Sequence, residues 1–99
     1  MNIKINSVKF SPTKKLETFV SEKIKKLSQY SEDIIGAEVF LKLENTQELE
    51  NKVAEIRIEI PGNDLFVKKQ SKSFEESTDN AIDALKKLIS KYKEKRKSS

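Results

Sequence analysis

The sequence predicts an α+β fold, a two-layer sandwich in the order β-α-β-β-β-α, with a four-stranded sheet and two helices on one face. Three observations carry this. Several segments alternate apolar and polar residues with a period of two. Two longer segments place apolar residues three and four apart, as an amphipathic helix does. Turn-forming and helix-capping residues punctuate the joins between them.

The first strand spans about residues 2–10. Ile3 and Ile5 alternate with Asn2, Lys4 and Asn6. Val8 and Phe10 continue the spacing on the other parity, which predicts a bulge near Asn6-Ser7. Ser11-Pro12-Thr13 then reads as a helix start, with serine as the cap and proline at the first helical position. Leu16, Phe19, Val20, Ile24, Leu27 and Tyr30 form one stripe on a helix of about 13–30. Lys15 and Lys26 flank that stripe and Lys23 lies at its edge, whereas Lys14 and Lys25 point to the opposite, solvent side.

Val39, Leu41 and Leu43 alternate with charged residues and Phe40 on a second strand, about 37–44. Residues 45–51 are polar and form a loop. Ala54, Ile56, Ile58 and Ile60 give the cleanest alternation of the chain, a third strand with one apolar and one charged face. Pro61-Gly62-Asn63-Asp64 suits a tight hairpin, and a fourth strand begins at Leu65 and ends near Ser71. Ser73 and Glu76 have capping-box spacing. The helix that follows, about 74–95, places Phe74, Ala81, Ile82, Leu85, Leu88, Ile89 and Tyr92 on one face. Its outer face is acidic early (Glu76, Asp79, Asp83) and basic late (Lys87, Lys91, flanked by Lys86, Lys93 and Lys95). The last residues, from Lys97, are expected to fray. An antiparallel sheet with one apolar face would pair with both helix stripes, and the two basic flanks would lie side by side.

Composition bounds the chemistry. The chain has 99 residues, enough for one domain. It contains no cysteine and no histidine, which excludes disulfides, thiolate or imidazole metal sites and the Ser-His-Asp and Cys-His triads. Only Gly36 and Gly62 are present, so there is no phosphate-cradling glycine loop. Glu55 and Glu59 fall on the charged face of a strand, where cross-strand pairing explains them. Asp79 and Asp83 read as a solvated helix face. The expectation is a protein that is not an enzyme and uses no cofactor, metal or small-molecule substrate. No apolar run reaches the length of a membrane span and the N-terminus lacks a signal-peptide core, so a cytoplasmic protein with no membrane partner is expected.

The net charge of +4 conceals segregation. Residues 1–30 carry seven basic and two acidic residues, and residues 86–99 carry seven and one. Residues 31–64 reverse this, with three basic and nine acidic. Two basic blocks around an acidic one suggest a polyanion-binding face, although a lysine-rich helix end can also simply complement the helix dipole. Lysine outnumbers arginine eighteen to two, which favours phosphate contact over reading of base edges. Phe10, Phe19, Tyr30, Phe74 and Tyr92 are in register with core positions. Phe40 and Phe66 are out of phase with their strands and are expected on the far sheet face, exposed or covering each other. RNA, if bound, would meet the helical side.

The chain resembles the short ribosome hibernation promoting factors, also called ribosome-associated inhibitor A or sigma-54 modulation / ribosomal subunit interface proteins. The resemblance lies in Thr13, Leu16, Phe19, Val20, Lys23, Lys26, Leu27 and Tyr30 of the first helix, and in the Val39-Phe40-Leu41-Lys42 strand. Asp79, Ile82, Asp83, Leu85, Lys91, Lys93 and Lys95 of the last helix extend it over essentially the whole chain. Ser7, Glu75 and Thr78 stand where the family usually has glycine, tyrosine and isoleucine. The resemblance implies a cytoplasmic, ribosome-associated inhibitor of translation that acts in stationary phase or stress. It would fill the decoding channel of the small ribosomal subunit, contacting rRNA and ribosomal proteins, and exclude mRNA and tRNA. Contact would fall to Lys15, Lys23, Lys26, Lys86, Lys87, Lys91, Lys93 and Lys95. The 99 residues would form a single ribosome-binding domain, monomeric when free, without the C-terminal dimerisation domain of longer members. Two other readings stay open: a stand-alone binder of structured RNA, with a fold like the double-stranded RNA-binding domain, and a regulatory protein-interaction domain.

Overall fold

The computed structural model describes residues 1–44 and 47–97. The elements are β1 (Asn2–Val8), α1 (Lys14–Leu27), β2 (Gly36–Leu43), β3 (Lys52–Glu59), β4 (Leu65–Ser71) and α2 (Phe74–Lys97). They form one four-stranded sheet in the order β1-β2-β3-β4. Of the predicted polar loop, Asn45 and Thr46 lie outside the described residues, as do Ser98 and Ser99 of the predicted frayed end.

The register explains the core. Ile3, Ala37, Ile58 and Leu65 form one row across the sheet, and Ile5, Val39, Ile56 and Val67 form the next. Side chains alternate faces along each strand, so these rows share one face. Val20, Ile24 and Leu27 of α1 and Ala81, Ile82, Leu85 and Ile89 of α2 close over it in a single buried cluster. Both helices therefore lie on one face, as predicted. The opposite face carries Lys4, Glu38, Arg57 and Phe66 in one row and Asn6, Phe40, Glu55 and Lys68 in the next.

The sheet is not wholly antiparallel. β1 and β2 are parallel, while β2–β3 and β3–β4 are antiparallel. The cause is α1, which returns the chain along its own length, so that β2 starts at the end where β1 started. No bulge interrupts β1. Its pairing with β2 runs unbroken from Asn2 to Val8 through Asn6 and Ser7. Val8, still in β1, falls on the far face with Lys4 and Asn6 and is 39% exposed, and the chain turns after it at Lys9, φ 71°. Phe10 then leaves the sheet and stacks on Phe74 at the start of α2, with centroids 4.6 Å apart.

Thr13, not Ser11, caps α1. Its Oγ1 accepts from Leu16 N–H at 3.1 Å, and Pro12 precedes the cap. The helix ends at Leu27, three residues early, in a tightened turn whose N–H groups reach back three residues. Tyr30 therefore leaves the stripe and is exposed. Ser73 caps α2 as predicted, accepting from Glu76 N–H at 3.1 Å. Between β3 and β4, Asn63 N–H donates to the Ile60 carbonyl, with Gly62 at φ 83°. Pro61 and Gly62 thus occupy the central positions of a type II turn, the second of which needs positive φ.

Phe40 and Phe66 are on the far face, but they do not cover each other. They sit in neighbouring rows with β3 between them, and Phe66 is 54% exposed.

Candidate nucleic-acid interface

α1 and α2 run side by side in the same direction. Lys23 Nζ lies 3.1 Å from Asp79 Oδ1. Seven residues on along each segment, Lys86 Nζ lies 5.4 Å from the centre of the Tyr30 ring. The two contacts fix the relative register of the pair. The helices meet through the buried apolar cluster; at its rim one lysine pairs with a carboxylate of the other helix and a second lies over the Tyr30 ring.

This geometry sorts the lysines predicted to contact RNA. Lys15 and Lys26 are exposed on the solvent crest of α1. Lys23, half-buried, sits in the cleft between the helices, over Phe19 and against Asp79. Lys86 borders the same cleft, and Lys93, two helical turns further, follows it on that flank. Lys87 and Lys91 point the other way. They line a groove between α2 and β4, on the far side of α2 from α1. Lys95 belongs to α2, but its side chain lies outside the described residues. The cleft thus holds Lys23, with Lys86 at its end beside Tyr30; Lys15 and Lys26 are exposed on α1, and Lys93 continues the α2 flank past the end of α1. Lys87 and Lys91 open a second basic flank.

On that second flank Lys68 and Lys69 of β4 join them. The sequence reading missed these two. The signal was the adjacent lysine pair, but lysines on an edge strand ordinarily guard against pairing with another sheet. Nothing in the sequence says that β4 is an edge strand beside the basic half of α2.

The carboxylates of β2 and β3 lie on the face away from the helices and are largely matched. Lys42 pairs with Glu55 at 2.8 Å, and Arg57 pairs with Glu38 at 2.7 Å and reaches Glu59 and Asp64 at 3.5 and 3.8 Å. The cross-strand pairing expected of Glu55 and Glu59 is present in part: Glu55 meets a lysine on β2, whereas Glu59 shares Arg57 within its own strand. Among the described residues, no group of three or more acidic side chains could hold a metal ion, and no helix is long and apolar enough to cross a membrane.

Lysines edge the helix pair, and the carboxylates on the other face of the sheet are largely paired. The family follows from comparison. Residues 3–97 match the model of the Sigma 54 modulation protein / S30EA ribosomal protein family. The chain belongs to that family, whose members are ribosome-associated factors. A search of curated proteins gives no match. Among solved structures, the N-terminal domain of Protein Y from Thermus thermophilus is similar, with 25% identity and a TM-score of 0.80 over 93% of this chain and 99% of that one. A ribosomal subunit interface protein from Coxiella burnetii has the same fold, with 17% identity and a TM-score of 0.84 over 94% and 98%.

Proposed function

We propose that this protein docks on the small ribosomal subunit, fills the decoding channel as a rigid wedge, and holds the ribosome idle by excluding mRNA and tRNA. The observation that carries the reading is the lysine-edged helix pair with its register fixed, in a member of a ribosome-associated family. Lys15, Lys23, Lys26, Lys86, Lys87, Lys91, Lys93 and Lys95 are the proposed rRNA contacts. No reaction is needed. The core fixes the helices in place before binding, so little ordering entropy is lost on association. If about six lysines each neutralise a phosphate, log K should fall with log salt at a slope of roughly −4 to −5.

Two measurements test this. The protein should migrate with small subunits and monosomes through a gradient at moderate salt; recovery only in the light fractions would end the reading. Lys87→Glu with Lys91→Glu should abolish inhibition of translation in vitro while the circular dichroism spectrum and melting curve stay unchanged. Inhibition that survives the double variant would remove these lysines from the contact surface.

A further inference from the structure

We propose that the groove between β4 and α2 binds an unpaired stretch of ribosomal RNA, one base stacking on Phe66 while phosphates run along Lys68, Lys69, Lys87 and Lys91. The proposal rests on the ribosome-binding reading above, and adds to it a second contact surface with a different kind of recognition.

The groove gathers lysines from two different elements beside an exposed aromatic ring. Lys68 and Lys69 come from a strand and Lys87 and Lys91 from a helix, yet all four line one opening. Among the described residues, none of them is in an ion pair. Asp83 is the one carboxylate that lines the groove with them. The local field is therefore positive.

Phe66 lines the rim of the same groove at the β4 edge and is 54% exposed. Its ring and Lys68 lie on the sheet face away from the helices and Lys69 on the α2 side, so a strand bound there would wrap over that edge. Guarding an edge strand explains its lysines, but not this ring: an exposed apolar side chain on an edge invites the pairing that lysines discourage. An aromatic face beside several lysines is the arrangement by which proteins hold single-stranded nucleic acid, one group meeting the base and the others the backbone. The ring also selects against a duplex. Paired bases already have both faces covered by their neighbours, so only an unstacked base can lie on Phe66. Lysines meet phosphates without reading base edges, which makes the site tolerant of sequence.

The chain contains no tryptophan, so Phe66→Trp introduces a single reporter at the proposed stacking position. Its fluorescence should be quenched by a single-stranded RNA of about twelve nucleotides, and left unchanged by a duplex of the same length or by inorganic polyphosphate. Phe66→Ala and Phe66→Leu should each bind that oligonucleotide about 5- to 100-fold more weakly. Equal binding by the leucine variant would overturn the stacking role. Ribosomes cleared of messenger should quench the tryptophan by themselves. Quenching that appears only when a messenger-like oligonucleotide is added would overturn the assignment to ribosomal RNA. If the tryptophan variant sediments with ribosomes but its fluorescence does not move, the groove proposal falls and the ribosome reading stands. If it does not sediment with ribosomes at all, both fall.

Discussion

Asp79→Asn should make this protein bind ribosomes more tightly. The carboxylate lies 3.1 Å from Lys23 Nζ in the cleft between the helices, and so occupies a cation that the proposed function assigns to RNA. The fold loses little by the change. Both side chains are partly exposed, at 33% and 49%, and exposed pairs of this kind are worth about 0–1 kcal/mol before salt screening reduces them further. Asp79 is also past the first turn of α2, where the helix dipole has faded. A phosphate resting on Lys23 would stand roughly 6–7 Å from the carboxylate, at which distance repulsion in a screened, watery cleft is about 0.3–0.8 kcal/mol. Removing it predicts a roughly two- to fourfold gain in affinity and a salt slope steeper by up to about 0.9. Titration of fluorescently labelled protein onto ribosomes at about 50–200 mM salt reads both quantities. Lys23→Ala in the Asp79→Asn background should cancel the gain, since the two act as one unit. Affinity and slope that stay unchanged, or fall, would show that Lys23 does not face RNA, and the cleft would lose its central member.

Other outcomes follow from the core. Thr78 is fully buried, and no hydrogen-bond partner reaches its Oγ1 among the described residues. Thr78→Val should raise stability by about 1 kcal/mol, seen as a higher urea midpoint with an unchanged slope. A Cβ on Gly36 would meet the Asn2 carbonyl oxygen at 2.8 Å, so Gly36→Ala should lower stability by about 1–3 kcal/mol and speed amide exchange at the start of β1. Ser77 Oγ donates to the Lys52 carbonyl at 2.6 Å and lies 2.8 Å from Ser71 Oγ. Ser77→Ala takes the side-chain donor away from the Lys52 carbonyl, while Ser71 Oγ keeps its bond to the Ser73 carbonyl, and should cost about 1–3 kcal/mol in the same urea experiment.

How much of this was legible beforehand depended on the range of the interaction. The order of the elements, the alternation of β3 and the Ser73 cap are local signals, and they hold in the fold. The Ser11 cap fails because Thr13 is equally able to accept the Leu16 N–H and lies nearer the stripe. Tyr30 matched the period of the α1 stripe, but the helix stops at Leu27, and periodicity does not report where a helix ends. The continuous β1 pairing was hidden because Phe10 carries the right spacing for a strand while its partner is Phe74, far away in sequence. The candidate site divides in the same way. Which face of each helix a lysine occupies could be read from spacing. That Asp79 would neutralise Lys23, or that Lys68 and Lys69 would border the groove of Lys87 and Lys91, depends on how α1 and β4 sit against α2, and no single segment encodes that.

The shared core has a consequence for synthesis. Val20, Ile24 and Leu27 share one buried cluster with the sheet and with Ala81, Ile82, Leu85 and Ile89, and that cluster is complete only when α2 has been made. An incomplete chain emerging from the exit tunnel has its first amphipathic stripe uncovered and its cleft half built. Under the proposed function, competence to hold a ribosome idle would come only once nearly the whole polypeptide has been translated, and the machine that makes this protein would be spared by its own unfinished product.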